Sequence, residues 1–181
     1  FGMPGIHNME NALAAIAASQ QLGISESELR EALTSYQGVK RRFELILKEN
    51  GVTFIDDYAH HPSELDACIS SVKKMYPNRK VTGVFQPHLF TRTRDNMNEF
   101  AQSLSELDQL YLLDIYPARE LPIEGVSSQV LLDQVQLEVK TLVTKNEVVE
   151  RLSTNRPEVL LTLGAGDIDR LVQPIKNALT A

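Results

Sequence analysis

The sequence contains no tryptophan and a single cysteine, Cys68. One cysteine leaves no partner for a disulfide within this chain. Its neighbours Ala67 and Ile69 lie in a helical, apolar pattern, which indicates a small core residue rather than a nucleophile. We therefore expect a reducing, cytoplasmic environment.

Long apolar runs and an excess of positive charge are also missing. No stretch approaches the roughly 18 apolar residues that a membrane-spanning helix requires, and residues 1–20 lack the basic start and apolar core of a signal peptide. The 24 acidic and 18 basic residues give a net charge of −6, which does not favour a nucleic-acid-binding surface. We expect neither membrane insertion nor a nucleic-acid partner.

The phosphate-binding pattern Gly-x-x-x-x-Gly-Lys-Ser/Thr is absent from all 181 residues. If the protein handles a nucleoside triphosphate, we expect the main phosphate cradle to lie elsewhere. The chain begins without an initiator methionine, so we expect it to be a piece of a longer protein.

What the chain does contain is an alternation of strand and helix patterns. Two helical segments, at 8–21 and 25–35, come first, and Ser25 and Glu28 form a capping-box pattern that predicts the start of the second. Asn50-Gly51 then predicts a hairpin. Because strands and helices alternate from there on, we predict an α/β fold, with a Rossmann-like, mostly parallel sheet covered by helices on both faces. A helical tail at residues 1–37 precedes this domain, which spans 38–181. The predicted strands are 43–47, 52–55, 81–85, 110–115, 138–143 and 159–163, and the later helices are 62–75, 96–107, 127–134, 146–153 and 167–179.

The densest polar cluster follows the strand that ends at Ile55. Within residues 56–61 stand two carboxylates, a phenol and two imidazoles, contributed by Asp56, Asp57, Tyr58, His60 and His61. Pro62 then opens a helix. Ligands bind at the carboxyl ends of strands in open α/β sheets, so we interpret this cluster as a ligand site. The alternative is a polar loop with a turn residue and a helix cap.

A second cluster follows the strand at 81–85. His88 and Arg92 precede a predicted helix, where an arginine and a helix N-terminus together suit a carboxylate or phosphate. The alternative is an ordinary helix entry with surface arginines.

Three weaker signals remain open on the residues alone. Asn8 and Asn11 share a helix face and could meet an adenine edge or a metal-bound water, but Asn8 could equally be an N-cap. Lys40-Arg41-Arg42 suits phosphates or ribose hydroxyls, or is a solvated basic turn. Gly164-Ala165-Gly166 is more simply a tight turn than a phosphate loop.

Taken together, these segments resemble the Mur ligase family. The resemblance rests on six pieces in family order across nearly the whole chain: residues 7–11 (HNMEN), 38–44 (GVKRRFE), 56–62 (DDYAHHP), 86–93 (QPHLFTRT), 113–118 (LDIYPA) and 164–168 (GAGDI).

The resemblance implies an ATP- and Mg²⁺-dependent ligase of three domains that works in peptidoglycan synthesis. Such an enzyme phosphorylates the carboxylate of UDP-N-acetylmuramate, and an amino acid attacks the acyl phosphate. Residues 1–37 would be the last helices of the central, ATP-binding domain, and 38–181 the C-terminal domain. The partners would be the sugar nucleotide, the amino acid and the protein's own N-terminal and central domains. This chain alone would be inactive.

The same resemblance implies roles for individual residues. Asn8, Asn11, Arg42, Asp57 and His61 would bind ATP, with no metal ligand in this chain. Tyr58, His88 and Arg92 would surround L-alanine, with His88 and Arg92 also serving catalysis.

Two features bear on the choice within the family. Residues 86–93 favour the branch that adds L-alanine over the cell-wall-recycling branch that adds a tripeptide. However, Leu89 and Phe90 stand where many relatives have Arg and Tyr, so the pocket lacks one cation. A hypothesis outside the ligases is a stand-alone nucleotide- or amino-acid-binding module. Such a module has no need of the helical tail.

Overall fold

The structure, a computed structural model, describes residues 5–181, so the first four residues of the predicted tail lie outside it. Helices α1 (Ile6–Gln21) and α2 (Glu26–Ser35) come first. Helix α2 begins at a capping box, in which Ser25 Oγ accepts the Glu28 N–H and the Glu28 carboxylate accepts the Ser25 N–H at 2.9 Å. The capping-box pattern predicted this start.

A six-stranded sheet follows the two helices, and it confirms the predicted mostly parallel α/β fold. Its strand order is β1-β2-β6-β3-β4-β5, with only the β1–β2 pair antiparallel. The strands are β1 (Glu44–Glu49), β2 (Val52–Asp57), β3 (Val81–Phe85), β4 (Gln109–Leu112), β5 (Lys140–Leu142) and β6 (Val159–Leu163).

The β1–β2 hairpin turns at the predicted dipeptide. Asn50 and Gly51 have φ values of 50° and 78°. A two-residue hairpin turn of type I′ requires positive φ at both positions, and Asn-Gly adopts that conformation with little strain.

Helices cover both faces of the sheet. Adjacent residues on the central strands alternate between two apolar clusters: Ile55 and Leu161 belong to one, and Phe54 and Leu160 to the other. The first cluster includes residues of α3, α5 and α6, and the second those of α7 and α8. The helices are α3 (Pro62–Met75), α4 (Phe90–Asp95), α5 (Met97–Ser105), α6 (Ser128–Gln134), α7 (Lys145–Thr154) and α8 (Val172–Thr180). Across residues 5–181, none is long and apolar enough to cross a membrane.

Two helical details differ from the sequence prediction. The short helix α4 was not predicted; it begins after Leu89, whose φ of 73° makes the turn out of β3. The single helix predicted over 167–179 is a 3₁₀ helix (Asp167–Leu171) followed by α8. Pro174 lacks an N–H and would clash with the carbonyl of Arg170 in a continuous α-helix, so the regular α-helix starts only at Val172.

Strand β6 lies at the centre of the sheet, and a cavity there should be costly. Leu161 is fully buried, whereas Leu45 on the edge strand β1 is 55% exposed. We expect Leu161→Ala to lower the free energy of unfolding by about 2–5 kcal/mol, and Leu45→Ala by roughly 0.5 kcal/mol or less. Urea denaturation followed by circular dichroism measures both. Equal losses in the two variants would contradict the assignment of β6 to the core.

Candidate functional site

The carboxyl ends of three neighbouring strands, β2, β6 and β3, form one edge of the sheet. The chain leaves β2 toward Tyr58, leaves β3 toward His88 and leaves β6 toward Gly164. The polar clusters that the sequence places at three separate strand ends therefore meet at one edge, as expected for a parallel sheet.

Asp57, the last residue of β2, is 8% exposed. Its Oδ2 accepts the backbone N–H of Phe43 at 2.7 Å and its Oδ1 accepts that of Ala59 at 2.8 Å. Burial raises the pKa of the Asp57 carboxyl, although these two hydrogen bonds and Arg42 favour the ionised form. The side chain thus connects the segment before β1 (residues 38–43, called the linker below) to the loop that follows β2.

Asp56 is more deeply buried, at 1% exposure. It accepts a hydrogen bond from Thr162 Oγ1 at 2.6 Å and forms an ion pair with Arg41 Nε at 3.1 Å. The Arg41 Nη2 donates onward to the Gly164 carbonyl at 2.5 Å. Burial raises the pKa of the Asp56 carboxyl in spite of both partners.

A cavity of about 810 Å³ lies between helices α1 and α2 on one side and, on the other, the first half of α3, the linker and the end of β2. This size is within the usual range for small-molecule sites, as is an apolar lining that carries a few polar groups. Asn8, Asn11, Arg42 and Asp57, four of the five residues predicted to bind ATP, line it together. The other lining residues are Ala12, Ala15, Ile16, Ser19, Leu29, Ala32, Leu33, Tyr36, Val39, Ser63, Glu64, Ala67 and Cys68.

His61, the fifth predicted ATP residue, is exposed at the N-cap of α3 and does not line this cavity. Its Nδ1 lies 3.0 Å from Ser63 Oγ. Its predicted role in binding ATP stays a prediction.

The polar side chains of this cavity offer the donors and acceptors that a base and a ribose could use. Amide side chains can pair with an adenine edge, and a carboxylate or guanidinium can bind ribose hydroxyls. In the described part of the chain, no group of three or more His, Cys, Asp or Glu side chains could hold a metal ion.

A second group of side chains lies beside the cavity, at the ends of β2 and β3. The rings of Tyr58 and His60 meet edge-on at 5.2 Å between centroids, and His60 lies 6.4 Å from His88. Arg92 Nη1 is 3.3 Å from His88 Nδ1. Tyr58, His88 and Arg92, the residues predicted to bind the amino acid, thus belong to one contiguous cluster.

The sequence analysis assigned no individual role to three residues of this region. Tyr116 stacks on His88, with ring centroids 5.6 Å apart and planes 17° apart. Glu64 accepts the backbone N–H groups of His60 and His61 at 2.9 and 3.2 Å, and its other oxygen lies 3.8 Å from Arg42. The third is His60 itself, named only as part of the cluster. A signal for Glu64 did exist, since Glu two residues after a helix-opening proline fits a capping box.

The surroundings of His88 favour a neutral imidazole. Burial, Arg92 and His60 together lower the pKa of His88. Because Arg92 donates to Nδ1, the proton of the neutral ring belongs on Nε2. The cluster therefore offers a guanidinium and a neutral imidazole donor, which together suit a carboxylate.

Gly164 and Gly166, which follow β6, allow the chain to pack closely against Gln86. A Cβ on Gly164 would lie 2.6 Å from the Gln86 carbonyl oxygen, and one on Gly166 would lie 2.4 Å from Gln86 Oε1. Gln86 also accepts the Ile168 N–H and donates to Asp167, both at 2.9 Å. These contacts explain both glycines without a phosphate, which favours the tight-turn interpretation.

The comparison with known families places this α/β domain in a class of ligase domains. The family described as "Mur ligase, glutamate ligase domain" matches residues 41–166. The chain belongs to the Mur ligase family.

Individual relatives agree with this assignment. The chain is 51% identical, over 179 residues, to the UDP-N-acetylmuramate–L-alanine ligase of Flavobacterium psychrophilum, which covers 99% of this chain. It superposes on the crystal structure of UDP-N-acetylmuramate-alanine ligase MurC from Thermotoga maritima with a TM-score of 0.77 and 27% identity, covering 98% of this chain and 39% of that one. A murein peptide ligase from Psychrobacter arcticus shares the fold, with a TM-score of 0.69 and 24% identity over 99% of this chain and 38% of its own. The chain spans 40% of the length of the Flavobacterium relative.

The variant Arg92→Ala should raise the pKa of His88 toward its usual value, because the nearby cation that helps to lower this pKa is lost. Arg94→Ala is the control, since Arg94 is exposed and pairs with its neighbour Asp95. Proton NMR titration of the histidine ring resonances measures the midpoint, and His88→Asn assigns it. An unchanged midpoint in Arg92→Ala would contradict the described contact.

The depressed pKa of His88 also determines whether its contribution to stability rises or falls with pH. Between the lowered folded value and the ordinary unfolded value, the unfolded state binds more protons. The contribution of His88 to stability is therefore present above this interval and is lost as the pH falls through it.

Proposed function

We propose that this chain is the C-terminal part of a UDP-N-acetylmuramate–L-alanine ligase of peptidoglycan synthesis. Such an enzyme uses ATP to join the carboxylate of UDP-N-acetylmuramate to the amine of L-alanine through an acyl phosphate. The main support is 51% identity to a relative of that name over 99% of the chain. A cytoplasmic location is part of the proposal, because both nucleotide substrates are cytoplasmic.

In this proposal, residues 1–37 belong to the central ATP-binding domain and 38–181 form the C-terminal domain. The family match, which begins at residue 41, supports a boundary near this point. The P-loop and most of the Mg²⁺ ligands would then lie in parts of the parent enzyme outside this chain.

The cavity between the two helices and β2 would hold the nucleoside of ATP. Asn8 and Asn11 would face the adenine, and Arg42 and Asp57 the ribose. The support is that all four side chains line one cavity of suitable volume. Bound ATP would supply the phosphoryl group that activates the sugar-nucleotide carboxylate.

The aromatic and cationic cluster would hold L-alanine. Arg92 would pair with the amino-acid carboxylate, His88 would donate its Nε2–H to the same group, and Tyr58 would close the side of the pocket. With the carboxylate fixed, the amine can be aimed at the activated carbonyl. Such positioning contributes much of the rate in acyl transfer.

A tripeptide-adding, cell-wall-recycling ligase is the second candidate, because the murein peptide ligase of Psychrobacter arcticus shares the fold. The first measurement is turnover by the full-length parent with ATP and UDP-N-acetylmuramate, with L-alanine and a tripeptide offered separately. We expect turnover with L-alanine and no activity from the isolated chain. Preference for the tripeptide would overturn the proposed substrate, and amide formation by this chain alone would overturn its role as a part.

Two arginines allow the pockets to be tested separately in the full-length enzyme. Arg92→Ala should raise the KM for L-alanine roughly tenfold or more, because a charge-assisted hydrogen bond is lost. Its effect on the KM for ATP should be much smaller. Arg42→Ala should show the reverse preference, with a rise in the KM for ATP.

Steady-state kinetics with each substrate varied in turn measures both effects. The control is Arg30→Ala, which removes an exposed guanidinium paired only within α2. Equal changes in both KM values for either pocket variant would indicate a general folding defect and contradict the assigned roles.

A further inference from the structure

Arg41 contacts several parts of the sheet edge through both its backbone and its side chain. Its backbone N–H donates to Glu44 at 2.7 Å, and its carbonyl accepts the Tyr58 N–H at 2.7 Å. Its guanidinium binds Asp56 and the Gly164 carbonyl. Arg41 thus joins the linker to the ends of both β2 and β6.

The backbone at this point adopts an unusual conformation. Arg41 and Phe43 have φ values of 60° and 51°, in the left-handed region that non-glycine residues rarely occupy. Strained backbone of this kind persists where surrounding contacts hold it, and such positions concentrate at functional sites. Here the Asp56 ion pair and the Asp57–Phe43 hydrogen bond hold it.

The aromatic ring nearest to Arg41 is that of Tyr58. The Arg41 guanidinium carbon is 5.0 Å from the ring centroid, and that of Arg42 is 5.6 Å from it. The two consecutive arginines differ in setting: the Arg41 side chain is 19% exposed and paired with a buried carboxylate, whereas Arg42 is 53% exposed and lines the nucleotide cavity.

We propose that Arg41 is a positioning residue. By binding the ends of β2 and β6 at the same time, it holds Tyr58 in the amino-acid pocket. This inference rests on the function proposed above, in which Tyr58 contacts L-alanine. Arg41 itself touches no substrate. It acts through the Tyr58 backbone hydrogen bond and through contact with the Tyr58 ring.

The geometry explains why lysine should not replace Arg41. The guanidinium donates from Nε to Asp56 and from Nη2 to Gly164, in two directions fixed by its planar fork. An ammonium group is a single point charge on a flexible stem. Lysine can therefore keep the ion pair with Asp56 but cannot hold both partners in the same arrangement.

The test uses full-length enzyme with Arg41→Lys and Arg41→Ala, and with Arg30→Lys as the control at an exposed arginine. We expect the KM for L-alanine to rise roughly tenfold in Arg41→Lys and further in Arg41→Ala, since small misplacements of a positioned group reduce binding and rate. The KM for ATP should change less than about twofold, because Arg42 and the cavity keep their side chains.

Asp56→Asn provides a second route to the same outcome. It removes the charge that anchors Arg41 while leaving an oxygen to accept the Thr162 hydroxyl. The KM for L-alanine should again rise more than the KM for ATP. In the double variant Arg41→Ala/Asp56→Asn, the two effects on the KM for L-alanine should not add, because both substitutions remove the same ion pair.

The outcomes are distinguishable. No L-alanine-dependent turnover in the unmodified enzyme overturns the proposed function, and this role with it. An active enzyme in which Arg41→Lys leaves the KM for L-alanine unchanged, or raises both KM values in proportion to a loss of thermal stability, overturns the positioning role alone. If Arg41→Ala fails to fold, Arg41→Lys and Asp56→Asn still decide the question.

Discussion

The burial of two adjacent carboxylates at the end of β2 is the constraint on which the rest of the site depends. Asp56 and Asp57 are 1% and 8% exposed, and burial raises the pKa of both. A buried carboxylate without partners costs several kcal/mol in real proteins. Each therefore needs hydrogen-bond donors, and these come from the linker, from β6 and from the loop that follows β2. The linker is fixed to the sheet edge because the carboxylates require it.

Sequence patterns predicted the features that depend on local chemistry. Asn50-Gly51 predicted the hairpin, Ser25 and Glu28 the capping box, and the strand–helix alternation the parallel sheet. The meeting of three polar segments at one edge also followed, because parallel strands bring their carboxyl ends together. These predictions needed only residues a few positions apart and a general rule of topology.

Features that depend on distant contacts could not be predicted in this way. The hydrogen bond from Arg41 to Gly164 joins residues 123 positions apart, and nothing near Arg41 distinguishes it from Lys40 or Arg42. Tyr116 likewise becomes part of the site only because a backbone bridge aligns it with His88. Helix α4 was missed because its start requires a positive φ at Leu89, a conformation that leucine rarely adopts.

Two sets of contacts hold the linker against the segment that follows β2, and they differ in strength. One runs through Glu64, which contacts both Arg42 and His60, but Arg42 is 53% exposed and lies 3.8 Å from Glu64. Exposed pairs of this kind contribute about 0–1 kcal/mol. The other runs through Arg41 and Asp56, where loss of one partner leaves a buried charge unpaired and costs about 3–5 kcal/mol. The buried connection therefore contributes more than the surface connection to holding the linker at the end of β2.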